Sequence, residues 1–197
     1  MRYPEGHKEA VRASIVAKAA RALRKHGLEG VSIPAIMKQV GLTHGGFYSH
    51  FKNRDELVAA AIVAAGDETT ASVFEEGGDQ ALNRYLSIEH VKHPEVGCIV
   101  AALGTEARYQ GVVVRRAFAS VARGLVLQIQ KALSAKRGGC ESDDESRQKA
   151  LFAKTGNSEL SDEALLRAAQ MVGAVVLARV MDDSGLADRV LKVARAR

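Results

Sequence analysis

Between Thr43 and Lys52 the chain sets out Thr43, His44, Gly45, Gly46, Tyr48, Ser49, His50 and Lys52 without a single acid among them. Short hydroxyls and imidazoles can hydrogen-bond to base edges. A lysine ammonium, a phenol and backbone amides suit phosphate oxygens. The adjacent Gly45 and Gly46 are the oddity, because each costs roughly 1 kcal/mol relative to alanine inside a helix. Stability gives no reason for the pair. A surface that must meet a duplex does, since absent side chains let the amides of a helix start come close to phosphates. Ser32 offers a further hydroxyl at the start of the preceding helix.

No rival chemistry stands out. A nucleophile paired with a base, a phosphate loop and a metal motif are all lacking, and nothing in the spacing ties Glu106 to His93 as acid and base. Two cysteines, Cys98 and Cys140, form no CxxC and no disulfide framework. No enzymatic activity, metal or cofactor is therefore expected. The net charge of +5 is concentrated: residues 1–56 hold ten Lys/Arg against five acids, and the rest of the chain balances at 18 of each. That asymmetry fits a first quarter that meets a polyanion.

These residues need elements to hold them. Val11, Ile15, Ala19 and Leu23 recur every four residues, which predicts an amphipathic helix ended by Gly27. Ser32 reads as an N-cap with Pro34 in the first turn. Ile33, Ile36 and Val40 give that second helix its apolar face, and Gly41 turns the chain, with Leu42 at the corner. Thr43 starts a third helix through Phe51, and Asn53 with Glu56 forms a capping box for a fourth. A short helix, a glycine turn and a second short helix make a helix-turn-helix over Ser32 to Phe51.

The run from Gly41 through His44, Gly45, Gly46, Phe47, Tyr48, Ser49, His50, Phe51, Lys52 and Asn53 to Leu57 resembles the signature of the TetR family of bacterial regulators. Arg12, Ile15, Ala19, Ala20, Leu23, Gly27, Ser32, Ile33 and Ile36 fall at that family's spacings, so the resemblance covers about residues 8–60. Arg54-Asp55-Glu56 departs from the commoner Lys-Glu but keeps the order of charges. The resemblance implies a three-helix DNA-binding domain (1–56) and a larger helical domain (57–197) that binds a ligand and dimerises. It also implies that Ser32 and Lys52 contact phosphate and that Thr43, His44, Gly45 and Gly46 approach the groove. Tyr48 and His50 would be a backbone-contacting pair, with Phe47 and Phe51 in the core.

The remainder reads as all-α. Helices are expected over 57–74, 80–87, 98–109 and 112–136, with a connection through Pro94 and a break at Glu75 to Asp79. Val114, Phe118, Val121, Leu125 and Ile129 form the inward stripe of the long one. A polar stretch over 137–157 would hold at most a short helix near Arg147 to Lys154. From Ala164 to Met181 almost no polar face remains, and such a helix must be buried on all sides. With an amphipathic helix from Leu186 to Ala194 it can build a four-helix bundle with a second subunit, although burial within one chain also fits. Tyr85, Cys98, Leu103, Glu106, Tyr109, Phe118 and Met171 are the candidate ligand contacts, and Cys98, close to a helix start, is a candidate sensor thiol.

The leading expectation is a cytoplasmic, homodimeric regulator, a repressor of a double-stranded operator released by a small-molecule effector, with no membrane segment. An architectural DNA-binding protein without an effector, or an all-α enzyme, are the alternatives.

Overall fold

The computed structural model describes residues 6–137 and 160–196. Among these residues the fold is all-α. Cys140 and the expected short helix near Arg147 to Lys154 lie outside the described residues.

Helix α1 (His7–His26) buries Ile15, Val16, Ala19, Ala20 and Leu23. Arg24, Lys25 and His26 occupy its last turn, where they oppose the negative end of the helix dipole. Gly27 stops it with φ +78° while its amide donates to Leu23 O at 2.9 Å. Helix α2 (Ile33–Gln39) closes on a Schellman turn: the Leu42 amide donates to Met37 O (2.9 Å) and the Gly41 amide to Lys38 O (3.1 Å). Gly41 stands at φ +73° in that turn, a conformation that disfavours any side chain.

Helix α3 (Arg54–Val73) is capped by Asn53, whose Oδ1 accepts the Glu56 amide at 2.9 Å. The expected capping box is offset. Glu56 reaches back to the Lys52 amide (2.8 Å), one residue before the cap. Behind α3 come α4 (Gly78–Tyr85), α5 (Ile88–Lys92) and a 3-10 turn (Pro94–Val96). Then follow α6 (Ile99–Leu103), a second 3-10 turn (Ala107–Tyr109), α7 (Val112–Arg137), α8 (Asp162–Val180) and α9 (Ser184–Arg195).

Two details depart from the sequence reading. The expected helix over 98–109 is broken after Leu103, where Gly104 and Thr105 are poor helix formers and Glu106 is engaged elsewhere. The connection around Pro94 holds the extra helix α5, started by Ser87 Oγ accepting the His90 amide at 3.1 Å.

The long helix α7 runs through both hydrophobic cores. Val114 and Phe118 join a cluster with Ile15, Leu23, Phe47, Phe51 and Ile62, whereas Leu125 and Ile129 join Tyr85, Met171, Val175 and Leu191. Helix α3 lies against α7 so closely that a β-carbon on Gly66 would stand 2.7 Å from Val121 Cγ1. The helix that leads out of the helix-turn-helix is thus packed directly onto the element that runs through both cores.

Helix α8 buries one side only: Ala164, Ala168, Met171, Ala174, Val175 and Ala178, together with Arg167. Leu165, Leu166, Val176, Leu177 and Val180 stay exposed, Leu166 and Val180 by more than 70%. Burial of the whole helix within one chain is therefore not what the fold does.

Candidate nucleic-acid interface

The segment expected to be the third helix is a 3-10 helix, His44–Ser49. Its bonds are of the i to i+3 kind: the Gly46 amide donates to Thr43 O (3.0 Å) and the His50 amide to Phe47 O (2.9 Å). Ser49 Oγ donates to Gly46 O at 2.7 Å. Consecutive glycines and a hydroxyl that competes for the backbone weaken the α-helical alternative. Neither Ser32 nor Thr43 makes a side-chain cap bond, so both hydroxyls are uncommitted to the backbone of their helices.

Packing sorts this segment into inside and outside. Phe47 and Phe51 are buried and stacked, with ring centroids 5.6 Å apart. Ser32, Thr43, His44, Gly45, Tyr48, Ser49 and Lys52 are exposed, and Gly46 and His50 half-buried. The Tyr48 ring leans edge-on against Phe47 (5.3 Å) and His44 (6.1 Å), which anchors its body and leaves the phenol outward.

Gly45 has neither a positive φ nor a crowded surrounding. A β-carbon there would meet nothing nearer than Thr43 Oγ1 at 4.0 Å. At Gly46 one would make ordinary contact with Met37 Cε at 3.7 Å. The fold itself does not require either glycine.

His50 is the residue whose surroundings the sequence did not foretell. Its Nδ1 is buried without a hydrogen-bond partner, and its pKa is held below the usual value by burial first, then by Lys8 and Arg12 of α1. Arg12 lies 4.5 Å over the Phe51 ring and 3.5 Å from the Glu56 carboxylate. Two cations of α1 thus border the segment. The signal was present in the excess of basic residues before Lys52, but only packing reveals which of them lie beside His50.

The seven candidate ligand contacts do not converge. Tyr85, Cys98 and Met171 share one core, Leu103 and Phe118 the other. Tyr109 is exposed beneath the Arg108 guanidinium (5.1 Å). The Glu106 carboxylate accepts the Leu28 amide at 3.0 Å, at the α1–α2 connection, which Arg54 also clasps through Leu28 O. Cys98 is buried beside Tyr85, whose fully buried phenol has its pKa pushed well up, by burial first and then by the neighbouring Cys98.

A buried polar network between α1 and the loop before α6 escaped the sequence reading. The Arg24 side chain is wholly buried and donates to Gly97 O (3.1 Å) and Glu68 (2.5 Å), and Thr69 Oγ1 donates to the same carbonyl (3.3 Å). Next to it His90 donates from Nδ1 to Tyr85 O (2.6 Å) and accepts the Cys98 amide at Nε2 (2.8 Å). Burial lowers the His90 pKa to about 4, so the ring is neutral in this arrangement. Among the described residues no group of three His, Cys, Asp or Glu could hold a metal ion, and no helix is long and apolar enough to cross a membrane.

Residues 15–61 match the model of the bacterial regulatory proteins of the tetR family. No curated protein is significantly similar to the chain. A TetR-family regulator from Cytophaga hutchinsonii superposes with a TM-score of 0.70 at 17% identity, covering 100% of this chain and 96% of that one. One from Chloroflexus aurantiacus gives 0.68 at 21% identity, covering 96% and 94%. AibR, solved with isovaleryl coenzyme A and operator DNA, gives 0.56 at 17% identity, covering 93% and 97%. The likeness to solved structures carries the fold over nearly the whole chain, and the match over residues 15–61 places its helix-turn-helix segment among the bacterial regulatory proteins of the tetR family.

Proposed function

We propose that the chain is a cytoplasmic, ligand-responsive repressor, without enzymatic activity, that binds a pseudo-palindromic operator as a homodimer and is released by a small molecule. In this reading residues 1–56 form the DNA-reading domain and 57–197 the ligand-binding and dimerisation domain. The observation that carries it is the outer face of His44–Ser49. There, two glycines that the fold does not require stand among exposed Thr43, His44, Tyr48 and Ser49, with Lys52 beside them and Lys8 and Arg12 behind His50.

Each residue has a role in this reading. Thr43 and His44 read base edges, and Gly45 and Gly46 let the backbone approach. Ser32, Tyr48, Ser49 and Lys52 hold phosphates. His50 sits in a cationic corner that a phosphate would neutralise, so its ring would protonate more readily on DNA than off it.

Dimerisation is supported by the apolar side of α8 that one chain leaves bare, continued by exposed Leu186 and Val193 on α9. Contiguous apolar surface of this kind marks an interface. AibR, with the same fold, was solved with both an acyl coenzyme A and operator DNA, which supports a ligand-controlled mode of action here. A ligand acts by binding unequally to the conformations that do and do not fit the operator.

The test is selection of binding sequences from a random duplex pool, followed by affinity measurements over a salt series. A two-fold symmetric consensus bound far above random DNA supports the reading. Steep salt dependence with no consensus would identify an architectural DNA-binding protein instead.

A further inference from the structure

The face where the second 3-10 turn meets α7 is hollow. A concavity of about 340 Å³ is lined by Val100, Gly104, Ala107, Phe118, Ala119 and Ala122, with Arg108 and Arg115 as its charged groups. Its volume lies toward the small end for ligand clefts, which run from roughly 300 to 1,000 Å³. The hollow has a local cause. Gly104 and Ala107 on one wall face Ala119 and Ala122 on the other, so four of the eight lining residues are too small to close the gap.

The floor is apolar, of Val100 and the Phe118 ring. No carboxylate lines the hollow, and neither Arg108 nor Arg115 forms an ion pair among the described residues. Arg108 is already steadied by the Tyr109 ring. Arg115, Phe118, Ala119 and Ala122 lie on one stripe of α7, three and four residues apart, so the helix presents a guanidinium at one end of an apolar trough.

We propose that this concavity binds an amphipathic anion: an apolar tail along Phe118 and Val100, and a carboxylate or phosphate held by Arg108 and Arg115. Two guanidiniums that form no ion pair among the described residues, beside an apolar trough, select that charge pattern over a neutral or cationic one. The site lies at the edge of the core that holds Leu103, sharing its Phe118, and has none of Tyr85, Cys98 and Met171 in its lining. The proposal deepens the ligand-responsive reading above and rests on it for its biological meaning. Its mechanical interest is Glu106: the carboxylate that accepts the Leu28 amide stands in the same turn as Ala107 and Arg108. An anion drawing Arg108 inward therefore acts on the segment that holds the α1–α2 connection.

The test is calorimetric titration of the full chain with decanoate below its micelle concentration, beside 1-decanol and decyltrimethylammonium. Saturable decanoate binding is expected, at least about tenfold tighter than 1-decanol and without competition from the cation. Arg108→Gln with Arg115→Gln should weaken it by about tenfold or more, and Ala119→Trp, which fills the trough from an exposed position, should abolish it. Circular dichroism establishes that each variant is folded.

No saturable binding to the wild type would overturn the site. So would equal affinity for 1-decanol, or affinity unchanged in either variant. The titration needs no DNA, so a failure to find any operator would end the regulator reading and leave this result standing.

Discussion

Arg24, wholly buried in the last full turn of α1, donates to the carbonyl of Gly97 at 3.1 Å across 73 residues of sequence. The bond ties α1, the helix that precedes the helix-turn-helix, to the loop that leads into α6. Glu68 of α3 supplies the countercharge. A side chain that reads as one more cation in a basic helix is in fact a structural tie.

Arg24→Ala should therefore destabilise the chain by about 2–3 kcal/mol, because it leaves the Gly97 carbonyl and the Glu68 carboxylate short of partners. Urea unfolding reads the loss. Hydrogen exchange should accelerate in α1 and in the Gly97 loop together. A change below about 0.5 kcal/mol would deny the tie any structural weight.

His90 predicts acid sensitivity. Its ring is neutral when folded, with a pKa lowered to about 4, whereas in the unfolded chain it titrates near 6.5. The unfolded state thus binds more protons between those values. The contribution to stability is complete above pH 6.5 and is lost as pH falls toward 4, by roughly 3 kcal/mol. Thermal unfolding across that window should show a fall that His90→Gln reduces.

On DNA, Lys52→Ala should weaken all duplexes alike and lower the magnitude of the salt slope by about one. Thr43→Ala or His44→Ala should shift base preference with the slope unchanged. Fluorescence anisotropy over a salt series distinguishes them, and a Lys52→Ala protein altered only in preference would contradict the assignment of roles.

Gly45→Ala separates folding from binding. Nothing crowds the added methyl and the backbone is not left-handed, so stability should hold or rise by about 0.5–1 kcal/mol. Operator affinity should fall by tenfold or more. Equal affinity would remove the reason given for the glycine.

Leu166→Lys with Val180→Lys places charge on the exposed apolar side of α8. Light scattering should show a dimer for the wild type and a monomer for this variant at micromolar concentration. A wild type that is monomeric would refute the dimer.

The helix-turn-helix was legible because its cues are local: a cap, a proline, a left-handed glycine and apolar residues at helical spacing. Gly27 and Gly41 act as their positions suggested, and Phe47 and Phe51 are buried as the resemblance implied. The 3-10 winding of His44–Ser49 was not, because α and 3-10 helices share much the same apolar spacing over six residues. Contacts between distant segments were least visible. Periodicity carries no trace of the Arg24–Gly97 bond or of the neutral His90, and it gives Glu106, bound to Leu28, the same look as a pocket carboxylate. The scatter of the seven candidate ligand contacts follows from the same limit: apolar spacing marks an inward face but not which of two cores lies behind it.

Helix α3 begins at the Asn53 cap, shortly after the His44–Ser49 turn, and ends at Val73, with Gly66 set hard against Val121 between them. Twenty helical residues make a rod about 30 Å long. A tilt of about 5° about its far end would carry the capped end some 2–3 Å, a geometric gain obtained from a rod of about that length. In the proposed two-fold pair the displacements would add or subtract across the axis, so how firmly one glycine seats that rod on α7 would set the tolerance of the proposed operator's spacing.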